Sequence, residues 1–135
     1  RDTPPHLYGV PLDRALAERR LEATFLGVVP GFRPPTDEDL LKHRSRGLFV
    51  SQPTGMDISR DGSKAAVITY RSLYLFEREN GESWAEAFQR QPLELVGPPG
   101  AHQEAVAFSA DGRSVYVTTE RRPAPLHRVD LQPED

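Results

Sequence analysis

Apolar and polar positions alternate with period two in two stretches of the chain. Residues 54–69 read TGMDISRDGSKAAVIT and residues 104–119 read EAVAFSADGRSVYVTT. In the first, Met56 and Ile58 alternate with polar or small neighbours; in the second, Val106 and Phe108 do the same. Such alternation is the signature of a strand with one buried face. The two stretches align without a gap at an offset of 50 residues, from Asp61 to Asp111. In each, a Ser-x-Asp-Gly tetrad separates the apolar runs. Gly accepts the positive φ of a tight turn and Asp bonds its own nearby backbone, so a hairpin is predicted at both places. Ala65 to Ile68 and Val115 to Thr118 form the return strands.

A third strand is predicted after each pair, at Leu73 to Phe76 and at Leu126 to Val129, and a fourth at Leu93 to Val96. Between the third and fourth strands, Trp84 and Phe88 stand four apart, which predicts a short helical turn with both rings on one face. The beginning of the chain repeats the later half of this unit. Leu7 to Val10 matches the third strand, Leu12 to Arg20 the helical turn, and Ala23 to Val29 the fourth strand.

The predicted fold class is therefore all-β, built as β-propeller blades. About two full four-stranded antiparallel blades plus part of a third are expected, as a fragment or part of a larger ring. Residues 1–29 supply the last two strands of one blade and 30–53 an inter-blade insertion loop. Residues 54–100 form a complete blade and 101–135 the first three strands of the next. In the insertion, Thr36 followed three residues later by Asp39 predicts a capped short helix. Four-stranded units at roughly 40–50 residues are typical of propellers, and rings usually need about 4–8 of them. Some nine strands leave two open edges, which invite pairing. The expected partners are the remaining blades of the same protein or other copies of the chain. A small open β-sandwich is the alternative architecture.

Composition narrows the function classes. Thirteen Pro and ten Gly in 135 residues suit a turn-rich chain, and 37% hydrophobic residues allow a packed core. A net charge of −3 argues against a nucleic-acid partner, which would need a basic face. There is no Cys, so disulfides and thiolate zinc sites are excluded. No stretch has the apolar length of a membrane span. The chain opens at Arg1 without an initiator Met, which reads as a processed start or a fragment.

The Ser-x-Asp-Gly turn between two apolar strands resembles the repeats of bacterial TolB-like and WD-repeat-like propellers. The likeness covers most of 54–131 and, more weakly, 7–29; the Trp-Asp dipeptide of WD repeats is not present. In the last blade, Glu104 to Phe108, the Asp111-Gly112 turn, Val115 to Glu120 and Leu126 to Val129 resemble the blades of bacterial esterase-like phytase propellers. Ala105 stands where that family commonly has Gly. The resemblance implies a periplasmic or secreted location, although the lack of Cys suits a cytoplasmic protein equally.

In a propeller, loops before the first strand and after the second strand of each blade open on one face. Gln52, Thr54, Asp57, His102, Gln103 and Glu104 then lie at first-strand starts, and Tyr70, Arg71, Glu120, Arg121 and Arg122 at second-strand ends. The candidate ligand-binding rim is Glu104, Glu120, Arg71, Arg121, His102 and Asp57. Glu104 and Glu120 could together hold a hard cation such as calcium, or one could act as a general base. The competing reading has Glu104 on a neighbouring backbone amide and Glu120 paired with Arg71 or Arg121. Arg71, Arg121 and Arg122 suit a phosphate or carboxylate ligand. The sequence carries no phosphate-cradling Gly loop, no Gly-x-Ser-x-Gly elbow and no His-Glu-x-x-His helix. Two functions follow as expectations. One is a binding or scaffold propeller for a small-molecule or protein ligand. The other is a periplasmic or secreted esterase-like or lactonase-type hydrolase, calcium-dependent in one version.

Overall fold

The computed structural model describes residues 4–15, 17, 20–42, 47–97 and 102–131. It is mostly β, with nine strands in three antiparallel sheets among the described residues. The first sheet pairs β1 (His6–Gly9) with β2 (Thr24–Val28). The second runs in chain order through β3 (Pro53–Ile58), β4 (Lys64–Thr69), β5 (Ser72–Glu77) and β6 (Leu93–Val96). The third comprises β7 (Gln103–Phe108), β8 (Ser114–Thr119) and β9 (Leu126–Asp130). No sheet closes on itself among the described residues, and no propeller ring is formed.

The two predicted hairpins have the same atomic construction. The Ser59 hydroxyl donates to Asp61 Oδ1 at 2.7 Å, which also accepts the Ser63 amide at 3.0 Å. Ser109 donates to Asp111 Oδ1 at 2.6 Å, and that oxygen accepts the Arg113 amide at 3.0 Å. Each serine oxygen then accepts the amide five residues on, at 2.9 Å from Lys64 and 3.0 Å from Ser114. Gly62 and Gly112 lie at φ +72° and +68°, which side chains disfavour. The sequence tetrad dictates the turn because its serine hydroxyl and aspartate carboxylate find partners within five residues.

The two central strands of the middle sheet, β4 and β5, are buried on both faces. Ala65, Val67, Tyr74 and Phe76 pack with Val29 and Phe88, flanked by Leu7, Phe32 and Trp84. Ala66, Ile68, Leu73 and Leu75 pack against Val115 and Val117, flanked by Val106, Phe108 and Val129. β4 and β5 are thus apolar at successive positions, as a doubly covered strand must be. The third sheet stacks directly on the second, the first reaches the same core through Leu7 of β1, and polar bonds also join the second and third. The Asp57 carboxylate accepts the Phe108 amide at 2.7 Å, and the Thr54 hydroxyl donates to the Gln103 carbonyl at 2.7 Å.

Short helices fill the connections. α1 (Leu12–Ala15) begins the run predicted as helical over 12–20; residues 16, 18 and 19 lie outside the described residues. α2 (Asp37–Lys42) carries the expected cap, with Asp39 accepting the Thr36 amide at 2.7 Å and Thr36 accepting the Asp39 amide at 3.2 Å. A single 3-10 turn follows at Gly47–Phe49. α3 (Trp84–Ala87) starts with a reciprocal Ser83–Glu86 cap. Trp84 and Phe88 do share a face, 5.6 Å between ring centroids, and Phe88 lies 4.4 Å from Phe76.

Candidate functional site

The ends of β4 and β8 and the start of β7 meet at one edge of the stack. Tyr70 follows β4, Glu104 is the second residue of β7, and Glu120 follows β8. Both inner pairs have a register shift there, between Pro53 and Gly55 and between Gln103 and Ala105. The residue each shift passes over, Thr54 or Glu104, is released from regular pairing, so its side chain can leave the alternation of its strand. Thr54 uses this freedom to cross to the third sheet. Glu104 uses it to reach Tyr70.

Tyr70 is the centre of this edge. Its phenol is held above the ordinary tyrosine range, first by the charge of Glu104, then by partial desolvation, by its hydrogen bond to Glu104 and by the charge of Glu120. The His102 ring meets the Tyr70 ring edge-on, 5.4 Å between centroids. An aromatic pair and two carboxylates therefore face one small region between the second and third sheets. Of the residues predicted to line a rim, Glu104, Glu120 and His102 converge here. Tyr70, predicted only as lying at a strand end, organises them.

Asp57 and Arg71 stand elsewhere. Asp57 holds the Phe108 amide, so its carboxylate binds the two sheets together. The Arg71 guanidinium is turned into the 30–53 insertion. It donates to Asp39 at 2.5 Å, to the Ser51 hydroxyl at 3.1 Å, and to the carbonyls of Arg33 and Pro34 at 2.8 and 3.2 Å. The Arg121 amide donates to the Thr119 hydroxyl at 3.3 Å.

A second polar centre, absent from the sequence reading, fastens the same insertion. Glu94 Oε1 accepts from Ser72 at 2.6 Å, from Tyr74 at 3.1 Å and from Arg33 Nε at 3.1 Å. Burial alone would push this carboxyl up. The Ser72 hydroxyl, the Arg33 guanidinium and the Tyr74 hydroxyl outweigh it and hold the group below the usual glutamate range. Phe32 completes the attachment, 4.7 Å from the Tyr74 ring. The signal in the sequence was a Glu on an apolar strand, which calls for partners when half-buried.

Among the described residues, no group of three or more His, Asp or Glu side chains is arranged to hold a metal ion. No helix among them is long and apolar enough to cross a membrane. Comparison with protein-family models, curated proteins and solved structures found no match.

Proposed function

We propose that this chain is a binding and scaffold module of propeller type, whose sheets serve as blades and whose ligand sits at the Tyr70 edge. Support for the blade reading comes from the four-stranded antiparallel order of the middle sheet, its stacking on the third sheet and the turn at Asp61 repeated at Asp111. The observation that carries the ligand reading is the grouping of Glu104 and Glu120 around the Tyr70 phenol, with the His102 ring beside it. Two carboxylates next to aromatic faces favour a positively charged group, an ammonium or guanidinium, through charge and cation–π attraction. The stacked strands hold these side chains on a rigid base.

The test is a nuclear magnetic resonance titration of the chain with an alkylguanidinium salt and, separately, with an alkyl carboxylate. The guanidinium is expected to shift the amides of Tyr70, Glu104 and Glu120, and Glu104→Gln to weaken that response at least several-fold. Equal response to both salts, or none to either, would remove the reading.

The same pair of carboxylates also favours a second reading, the calcium-dependent esterase-like hydrolase. On that reading Glu104 and Glu120 hold the cation through oxygen ligands. Calcium should then raise the melting temperature, and a panel of activated esters should be hydrolysed. A melting curve indifferent to calcium together with an inert ester panel would exclude it.

A further inference from the structure

The turn between β4 and β5 links two parts of the molecule through two neighbouring residues. Only Tyr70 and Arg71 separate Thr69 from Ser72. Their side chains take different partners. Tyr70 meets Glu104 and the His102 ring at the third sheet, and Arg71 enters the insertion at Arg33, Pro34, Asp39 and Ser51. Two-residue hairpins favour turns with positive φ at a central residue, because other turns splay the strands. This turn contains no Gly, and among the described residues no residue other than Gly takes positive φ. Its shape therefore needs support from outside the hairpin.

Arg71 collects that support. Its amide donates to the Thr69 hydroxyl at 3.2 Å, and the same oxygen accepts the Ser72 amide at 3.0 Å. Its carbonyl accepts the Gly97 amide at 2.8 Å, which ties the turn to the end of β6. Its guanidinium donates to four groups of the insertion. The Tyr70 carbonyl and the Arg71 amide share one rigid peptide plane, so fixing Arg71 also fixes where the tyrosine leaves the backbone. The third sheet offers a comparison. There the Arg121 amide donates to the Thr119 hydroxyl at 3.3 Å, but the connection runs on through residues 120–125 before β9 begins. The local bond recurs, whereas the hold on an insertion belongs to the Tyr70 turn.

We infer that Arg71 is a positioning residue for the cation site: by holding the turn against the insertion, it fixes the Tyr70 ring beside Glu104, Glu120 and His102. The inference rests on the ligand reading of that edge. Coupling between two sites is reciprocal, so a cation bound at Tyr70 also steadies Arg71 in the insertion. The sign of the effect separates positioning from direct electrostatics. Arg71 is itself a cation, next in the chain to Tyr70, so losing its charge alone would strengthen the binding of another cation. Losing its hold on the turn weakens that binding.

The experiment is a nuclear magnetic resonance titration with an alkylguanidinium salt, below denaturing concentrations, of the wild type, Arg71→Lys, Arg71→Ala and Gly112→Ala. Affinity is expected to fall in the order wild type, Arg71→Lys, Arg71→Ala, with a loss of about five-fold or more in the last. Charge alone would put Arg71→Ala first. Gly112→Ala strains the turn at the other end of β7 and β8, away from Arg71, and should bind as the wild type does. It shows what a general loss of stability does. In the ligand-free proteins the His102 ring signals, set by the Tyr70 ring 5.4 Å away, should move in Arg71→Ala and stay in place in Gly112→Ala. Arg71→Met, which keeps an apolar stem and no donor, takes the place of Arg71→Ala should that variant fail to fold. Equal or tighter binding in Arg71→Ala, or an equal loss in Gly112→Ala, would overturn the proposal, as would unmoved His102 signals. A wild type indifferent to the salt would remove the ligand reading, and the His102 signals would still decide whether Arg71 positions Tyr70.

Discussion

Arg71 Nη1 and Asp39 Oδ2 lie 2.5 Å apart, joining the end of the second sheet to the one long insertion between sheets. The Arg71 side chain is 11% exposed, and its other terminal nitrogen meets two carbonyls and a hydroxyl of the same insertion. Burial would raise the Asp39 carboxyl. The Thr36 amide and hydroxyl and the Arg71 charge overcome that and hold it below the aspartate norm. Asp39 therefore caps α2 and anchors it with one oxygen.

Removing the guanidinium should free this insertion. Arg71→Ala is expected to cost about 2–4 kcal/mol, because Asp39 and two carbonyls lose their donor in a half-buried place. Arg71→Lys should recover less than half of that, since one ammonium cannot match a planar fork spread over four acceptors. Urea denaturation of both variants reads the costs. Increased proteolysis within 33–51 in Arg71→Ala would locate the loss, and intact protection there would contradict this account.

Leu73 faces Ile68 as Leu126 faces Thr118, fifty residues on from Ile68, yet Leu73 is 3% and Leu126 68% exposed, which gives a direct comparison of burial. Leu73→Ala should cost about 2–5 kcal/mol, the transfer and cavity cost of a closed core site. Leu126→Ala, measured at a concentration where the chain is monomeric, should cost less than about 0.5 kcal/mol. Similar losses from both would mean that Leu126 is covered within a single chain, against its exposure here.

Strands and turns were legible because their causes are local. The Ser-x-Asp-Gly tetrads at 59–62 and 109–112 contain their own partners, and period-two alternation marks which residues face the same way. The helical cap at Thr36 and the Trp84–Phe88 face follow from spacing of three and four residues for the same reason. The partners of Arg71 were not legible. Asp39 is 32 residues away in a segment with no counterpart in the repeat, so no alignment of blades could pair them. Asp57 and Phe108 meet across two sheets, and that meeting depends on how the sheets stack rather than on either strand. The Tyr70 edge was half legible. Strand order brought Glu104 and Glu120 toward one end, but the register shift at Glu104 is a three-dimensional event.

The turn glycines should be equivalent in energy because the turns are equivalent in atoms. Gly62→Ala and Gly112→Ala each force a side chain onto positive φ, with an expected cost of about 1–2 kcal/mol. A Cβ at 62 would come 3.0 Å from Arg78 Nη2, the far end of a side chain, and one at 112 would touch nothing closer than 3.9 Å. Contact therefore adds little, and the backbone angle sets both costs. Thermal unfolding of the two variants should give losses that agree within about 0.5 kcal/mol, near the error of comparing distant sites. A gap much larger than that would mean that the two hairpins are not energetically alike.

Acid should weaken this protein through its turn aspartates before its bulk charge explains the loss. The Ser59 hydroxyl and the Ser63 amide and hydroxyl hold the Asp61 carboxyl at about 2, well below the usual 3.8. The Ser109 hydroxyl and the Arg113 amide lower Asp111 in the same sense. A carboxyl depressed by folding binds its proton more weakly in the folded chain than in the unfolded one. Its contribution to stability is complete above the unfolded value and disappears as pH falls through the folded value. For Asp61 that window runs from about pH 4 down to about pH 2. The urea midpoint should therefore fall through this range. The double variant Asp61→Asn, Asp111→Asn should start lower at neutral pH and fall less steeply, because an amide keeps a similar shape without a proton to gain. Asp39 and Glu94, also lowered, remain in the double variant and should leave part of the slope in place. A double variant whose midpoint follows pH as steeply as the wild type would assign the acid sensitivity to groups outside the two turns.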